Sequence, residues 1–451
     1  MTIEIRPPVE DELRAAMEAA EGAFGSELED HDWERERKIL PPSRALAAYD
    51  GDKAVGLAAA YAFDLSIPGG ELPCAGVTWV GVLPTHRRRG ILRDFMRRQL
   101  ADVQTWGEPI AALWASEASI YGRFGYGAAV PGIVAKSNPR RFTLEHDPPS
   151  NLSVRLTDAE EAYRLFPSIY GRFGYGLAAP GVVAKSIARR FVLKDAPASN
   201  VSVRLTDFDE AFLLFPAVYD RARAGRAGML SRSETWWKEL RLADPKEWRR
   251  GASQKFYAVA EVDGNAEGYT TYRVKDEWED GFAKGEVRVV ELFGTSSAVE
   301  LELWRFLHSI DLTVKVDVFS LDPASALFLN VRDPRALGLR VADALWLRLV
   351  DLDAALKARS YKAGESIVLE VSDEVCPWNA GRYRVGDDAG RTEDTADLAL
   401  DVADLAAAYL GAFDFHRLVH SGRASERRDG AAEAATLLFR TDLPPYCPEV
   451  F

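Results

Sequence analysis

The stretch Val77–Leu100, VTWVGVLPTHRRRGILRDFMRRQL, leaves a chain few folds to choose from. Its first residues read as a strand up to Leu83. Beyond it, Ile91, Leu92, Phe95, Met96, Leu100 and Val103 recur at helical spacing, with Arg93, Asp94, Arg97 and Arg98 on the opposite face. A strand that enters an amphipathic helix through a short loop is the building unit of an α/β layer. The first turn of such a helix offers backbone N–H groups without intrahelical acceptors, at the positive end of the dipole. The oxygens of a pyrophosphate satisfy several of those donors at once. Gly90 lets the backbone come close, and Arg87, Arg88 and Arg89 add positive charge. An arginine triplet alone is weak evidence, because a solvated basic patch or a polybasic address looks the same. Here the triplet lies between strand and helix and is followed at once by glycine, which favours phosphate binding.

The surrounding sequence extends the α/β pattern. A helical stretch at Glu10–Gly25 precedes extended segments at Ala45–Tyr49 and Gly56–Leu65, with a turn at Asp50–Gly51 between them and a buried strand at Ile110–Ala115 further on. A second α/β region follows, with a helix at Trp236–Leu240 and paired strands at Lys255–Val262 and Ala266–Val274. Then come a strand at Glu286–Phe293 and a helix over Ala298–Ser309. Its strand-to-helix junction, GTSSAVELE, has neither arginines nor a glycine where the helix opens, so this region is not expected to bind a phosphate ligand. The last hundred or so residues mix strands (Ser366–Val371, Gly381–Val385) with helices (Leu352–Arg359, Val402–Tyr409), as a separate α+β domain does. A length of 451 residues fits such a division into about three domains.

An internal repeat interrupts the pattern. Residues 119–167 open SIYGRFGYGAAVPGIVAKS and residues 168–216 open SIYGRFGYGLAAPGVVAKS; aligned without gaps, the two 49-residue stretches differ at 15 positions. Two copies are too few for a solenoid. Duplication of one segment is the simpler account, so 168–216 is expected to be an excursion from the fold. The expected domains are then 1–167, the insert 168–216, 217–345 and 346–451.

The formal net charge of −13 weighs against nucleic-acid binding and suits a cationic partner such as an amine. No secretory leader is visible, and no apolar run approaches the roughly 20 residues of a membrane span, so the default expectation is cytoplasmic. Cys74, Cys376 and Cys447 are too widely spaced for a zinc site or a disulfide framework, and no metal site is expected.

The R-R-x-G pattern after a V-x-V strand resembles the acetyl-CoA signature of the GNAT superfamily, although Leu92 stands where that signature has a small residue. The same departure, with THRRRGIL, WASE followed by IYGRFGYG, and downstream SRSETWW and YRV, is similar to the Eis (enhanced intracellular survival) group of GNAT enzymes. The resemblance covers most of the chain. It implies tandem GNAT domains followed by a sterol-carrier-like domain, and acetyl-CoA-dependent acetylation of amines such as aminoglycosides. It further implies that backbone groups of Val80 and Val82 receive the pantetheine arm, that Arg87 and Arg88 hold the phosphates, and that the protein forms a homo-oligomer, a hexamer in the family.

Acetyl transfer to an amine needs a neutral nucleophile, stabilisation of the oxyanion and a proton for the departing thiolate. The six histidines are scattered and none stands out. A tyrosine placed beside the sulfur can supply the proton. Tyr121 follows the strand ALWAS, and the resemblance places the general acid there, with Ser116 five residues earlier. Tyr170 holds the same place in the second copy but follows EEAYRLFP instead, so Tyr121 is favoured and Tyr170 is its rival. The resemblance also brings the C-terminal carboxylate, here of Phe451, into the site to assist deprotonation; with a pKa of about 3.5 it would act by ordering water or holding the cation. The resemblance further implies that Phe24 and Trp33 wall the amine pocket. The alternatives are acetylation of a protein lysine or amino terminus, and a non-catalytic coenzyme-binding assembly or carrier protein.

Overall fold

The computed structural model describes residues 3–137, 201–280 and 282–451, in two compact units. The first gathers the described residues up to Pro131 with Arg223–Arg241 and Asp343–Phe451; the second takes those of Gly132–Ala222 and Leu242–Ala342.

The first unit is built on a seven-stranded sheet. β1 (Glu4–Arg6), β2 (Ala45–Asp50), β3 (Lys53–Ile67) and β4 (Gly70–Val82) run antiparallel in order, and β5 (Ile110–Trp114) joins β4 in parallel. The strand Leu345–Leu349 then pairs with β5 over its whole length and with β6 (Gly127–Ala128), so a distant stretch of chain completes this sheet. The pleat of β3 explains its sequence, because alternate residues meet different helices. Leu57, Ala59, Tyr61 and Phe63 share a core with Leu13, Ala16, Met17 and Ala20 of α1 (Glu10–Phe24). Ala58 and Ala60 face the other way, where Ile91, Phe95, Met96, Leu100 and Val103 of the helix after the RRRG loop pack.

The charged segment Asp30–Ile39 forms α2, which the sequence pattern did not reveal. Its single buried residue is Glu36, so it has no apolar stripe for periodicity to detect. α3 (Ile91–Thr105) lies where the sequence anticipates a helix, and the short α4 (Ala118–Tyr121) follows β5.

The C-terminal part of this unit has a five-stranded sheet with Ile367–Ser372 at its centre, parallel to Leu398–Asp401 and antiparallel to Gly381–Val385. Helices Val402–Tyr409, Phe415–His420 and Ala431–Phe439 accompany it.

The second unit has its own seven-stranded sheet. Phe256–Val262 and Asn265–Lys275 form the anticipated antiparallel pair, and Gly285–Gly294 leads into the helix Ser297–His308. Val201–Thr206 pairs with Phe256–Val262, and a helix runs over Phe208–Arg223. Residues 201–216, the end of the second repeat copy, therefore contribute a strand and most of a helix; Tyr170 and the rest of that copy lie outside the described residues. Among the described residues no helix is long and apolar enough to cross a membrane.

Candidate active site

The parallel pairing of β4 with β5 lasts for three rungs, the last being Gly76 with Ala112. Past that rung β4 continues to Val82 bonded to β3 alone. Trp79 adopts a left-handed φ of 55°, and the β3–β4 register slips between Leu57 and Ala59, so Trp79 and Val80 together oppose Ala58. Such a bulge bends a strand and re-aims its side chains. The two parallel strands are thereby parted, and a cleft of about 790 Å³ opens beside them. Val80, Gly81 and Val82 line one side, and Ser116, Ile120 and Tyr121, which follow β5, line another. At Gly81 the chain passes close to α1, where a Cβ would lie 3.0 Å from the Ala20 backbone.

The RRRG loop closes one end of the cleft. His86 is fixed on both ring nitrogens, with Nε2 3.1 Å from an Asp50 carboxylate oxygen and Nδ1 2.8 Å from the Thr85 hydroxyl. Arg88 and Gly90 both take left-handed backbone, with φ of 64° and 89°. No side chain caps α3, and its first helical bond runs from the Asp94 amide to the Gly90 carbonyl. The amides before Asp94 are thus available to an anion, as helix N-termini allow. Arg88, Arg93 and Arg97 line the cleft from the loop and α3, and Arg123 lines it just past α4. Arg87 lines it too, but its guanidinium donates to the carbonyls of Ala23 (2.6 Å) and Val82 (3.2 Å). Arg89 donates to the Thr85 carbonyl at 3.3 Å and is not among the lining residues. An uncapped helix start, a glycine with positive φ and several guanidinium groups fit a diphosphate, and the parted strands fit an extended arm leading from it.

In the second unit the equivalent junction is occupied by the chain itself. The Ser296 side chain accepts from the Val299 amide, and Glu300 occupies the first turn. That end of a helix has no comparable welcome for an anion.

Tyr121 ends α4 and is only 5% exposed. Burial raises its phenol above the ordinary value and the charge of Glu117 adds to this, while a hydrogen bond with Ser116 pulls the other way. Its ring meets Tyr126 edge-on at 5.9 Å. The turn between them explains the FGYG motif: Gly125 has a φ of 81°, and a Cβ there would lie 2.7 Å from the guanidinium carbon of Arg348. Arg348 is fully buried and bonded to both oxygens of Asp373 at 2.7 Å.

Phe24, at the end of α1, is 58% exposed and lines the cleft, whereas Trp33 on α2 packs half-buried against the core and does not line it. Sequence reasoning missed the group beside Trp33. Tyr61 donates to Glu36 at 2.6 Å, and the Trp79 indole N–H reaches the same carboxylate oxygen at 3.3 Å. Burial, then the Glu36 charge, pushes the Tyr61 phenol well above its ordinary value. Burial, with the charges of Asp32 and Glu36, also raises Glu21. Arg35 bridges Asp32 at 2.6 Å and Glu36 at 3.1 Å, so this group of carboxylates is partly neutralised within α2 itself.

Phe451 comes back to this sheet. Its ring centroid lies 5.3 Å from that of Phe63 and 6.5 Å from that of Tyr61, and a Cβ on Gly76 would come within 3.2 Å of it. The terminal ring therefore sits at the last rung before the strands part. Trp236, within the SRSETWW motif, packs edge-on against both Tyr61 (5.2 Å) and Phe63 (4.9 Å). That motif was the available signal for this role. Among the described residues no His, Cys, Asp and Glu cluster could hold a metal ion.

Comparison with known proteins agrees with this architecture. Residues 4–129 match an acetyltransferase (GNAT) domain, residues 228–349 match a second one, and residues 352–448 match a sterol carrier protein domain. A protein of Streptomyces avermitilis described as an uncharacterized N-acetyltransferase is 38% identical over 461 residues, covering 100% of both chains. N-acetyltransferase Eis of Mycobacterium tuberculosis is 31% identical over 467 residues, covering 98% of each. Among solved structures, Eis1 from Mycobacterium abscessus superposes with a TM-score of 0.76 at 29% identity over 100% of both chains. A GCN5-related N-acetyltransferase from Anabaena variabilis does so with a TM-score of 0.77 at 17% identity over 100% of both, a likeness of fold alone.

Proposed function

The chain belongs to the Eis family of GNAT N-acetyltransferases, and from that premise we propose that it acetylates a small cationic amine with acetyl-CoA held in the cleft between β4 and α4. The observation that carries this reading is the meeting, in one cleft, of an uncapped α3 start at Gly90 with Val80, Val82, Ser116 and Tyr121 along parted strands.

The α3 amides and Arg88 would hold the diphosphate, and Arg93, Arg97 and Arg123 would add positive charge near it. The unpaired edge of Val80–Val82 would receive the pantetheine amides as a partner strand does. When bound, acetyl-CoA supplies an activated carbonyl. Tyr121 keeps its proton at neutral pH, because its phenol is raised, and delivers it to the departing sulfur. The Phe451 carboxylate holds the incoming ammonium or the water that takes its proton. The net charge of −13, with Glu21 near the end of α1, favours cationic acceptors such as polyamines and aminoglycosides.

A thiol-release assay with acetyl-CoA and a panel of polyamines, aminoglycosides and lysine peptides tests this. Turnover on the small polycations, lost in Tyr121→Phe and retained in Tyr170→Phe, is the expected result. Turnover on peptides alone would transfer the reading to protein acetylation. Coenzyme binding without turnover on any amine would replace it with a carrier role.

A further inference from the structure

The last six residues are held more firmly than a chain end needs to be. The Tyr446 amide donates to the Ala227 carbonyl at 2.9 Å, and Gly228 is a glycine because a Cβ there would lie 2.8 Å from the Tyr446 carbonyl oxygen. Glu449, two residues from the end, has no solvent exposure at all. One of its carboxylate oxygens takes the Arg232 guanidinium, which is equally buried. The other accepts from the Trp236 indole N–H at 3.1 Å and lies 3.6 Å from Arg241. Both oxygens are engaged, so this carboxylate has no face left for a substrate. Val450 is then exposed, and the Phe451 ring anchors against Phe63 and Gly76.

We propose that Glu449 is a positioning residue: clamped by Arg232, Arg241 and Trp236, it fixes where the Phe451 carboxylate stands in the active site. Two residues of chain span at most about 7 Å, so a fixed Glu449 and a seated Phe451 ring leave the terminal carboxylate little room to wander. The inference rests on the proposed role of that carboxylate in acetyl transfer. It also gives the SRSETWW motif a task, since Arg232 and Trp236 both belong to it.

The test compares kcat and KM for spermidine and the Kd for CoA in Glu449→Gln, in the chain lacking Phe451, and in the combination. A clamp that acts through the terminus is expected to lower kcat/KM by tenfold to about a hundredfold in the full chain. CoA affinity should stay within about twofold, and the same substitution should change kcat/KM by less than about twofold once Phe451 is gone. Losses that multiply in the combined variant, or no loss from Glu449→Gln in the full chain, would overturn the inference while leaving the carboxylate's role intact. If removal of Phe451 itself costs nothing, the carboxylate reading falls, and the clamp falls with it. Should Glu449→Gln fail to fold, Trp236→Phe serves in its place, removing one hydrogen bond while keeping the ring.

Discussion

The Arg87 guanidinium donates to the carbonyl of Ala23 at 2.6 Å and so ties the end of α1 to the loop that opens α3. Arg88, one residue on, is exposed and has no hydrogen bond or ion pair among the described residues. The two arginines of one motif thus have separable roles. Arg87→Ala is expected to lower unfolding stability by about 1 kcal/mol and to weaken CoA binding. Arg88→Ala should weaken binding to a similar or greater degree without moving the melting temperature. Thermal melts of the free proteins, paired with CoA titrations, distinguish the two.

Tyr121→Phe should lower kcat by a factor of about 10² to 10⁴, the usual worth of a positioned general acid, while CoA binds as before. The sign of the pH dependence follows from the raised phenol. A tyrosine acts as an acid only below its pKa, and a raised pKa extends the protonated range upward. The alkaline fall in kcat assigned to this group is therefore expected beyond the ordinary tyrosine range, and a steady-state profile carried into strongly alkaline pH checks it. A plateau lost near neutrality, and retained in Tyr121→Phe, would assign the titration to another group.

The Arg348–Asp373 pair is buried on both sides and supports the turn at Gly125. Removing one partner strands a charge in the interior. Asp373→Ala should then cost about 3–5 kcal/mol in urea unfolding. Gly125→Ala combines a left-handed φ with a clash against the guanidinium, and should lower turnover by disturbing Tyr121.

All three cysteines are buried thiols outside any disulfide. Burial pushes the Cys376 thiol up to about 11 and the Cys447 thiol up to about 12, and raises Cys74 well above its ordinary value. A thiol reagent works on the thiolate. At pH 8 the native protein should release no chromophore from Ellman's reagent, and the unfolded chain should release three equivalents. A fast-reacting native thiol would contradict the packing around Cys74 and Cys447.

Much of this was legible in the chain itself, for a physical reason. β3, β4, α1 and α3 each bury an apolar face, and burial leaves a periodic trace. The junction at Gly90 was readable because strand, arginines, glycine and helix stand side by side in the sequence. α2 left no such trace: DHDWERERKI buries only Glu36, and its partners Tyr61 and Trp79 come from two different strands. The clamp on Glu449 was equally hidden, because Arg232 is 217 residues away and the contact exists only in the fold. Nor does spacing tell which way a side chain turns. Arg87, Arg88 and Arg89 look equivalent as a triplet, yet Arg87 and Arg89 spend donors on nearby carbonyls.

On the proposed function, one helix start, at Gly90, grips the coenzyme, while its counterpart at Ser296 is capped by its own side chain. Calorimetric titration of CoA into the full chain and into Gly90→Val tests it most directly. One coenzyme per chain in the unaltered protein, and binding lost or weakened by at least tenfold in Gly90→Val, is the predicted result. Two sites per chain, or an affinity indifferent to Gly90→Val, would contradict the account.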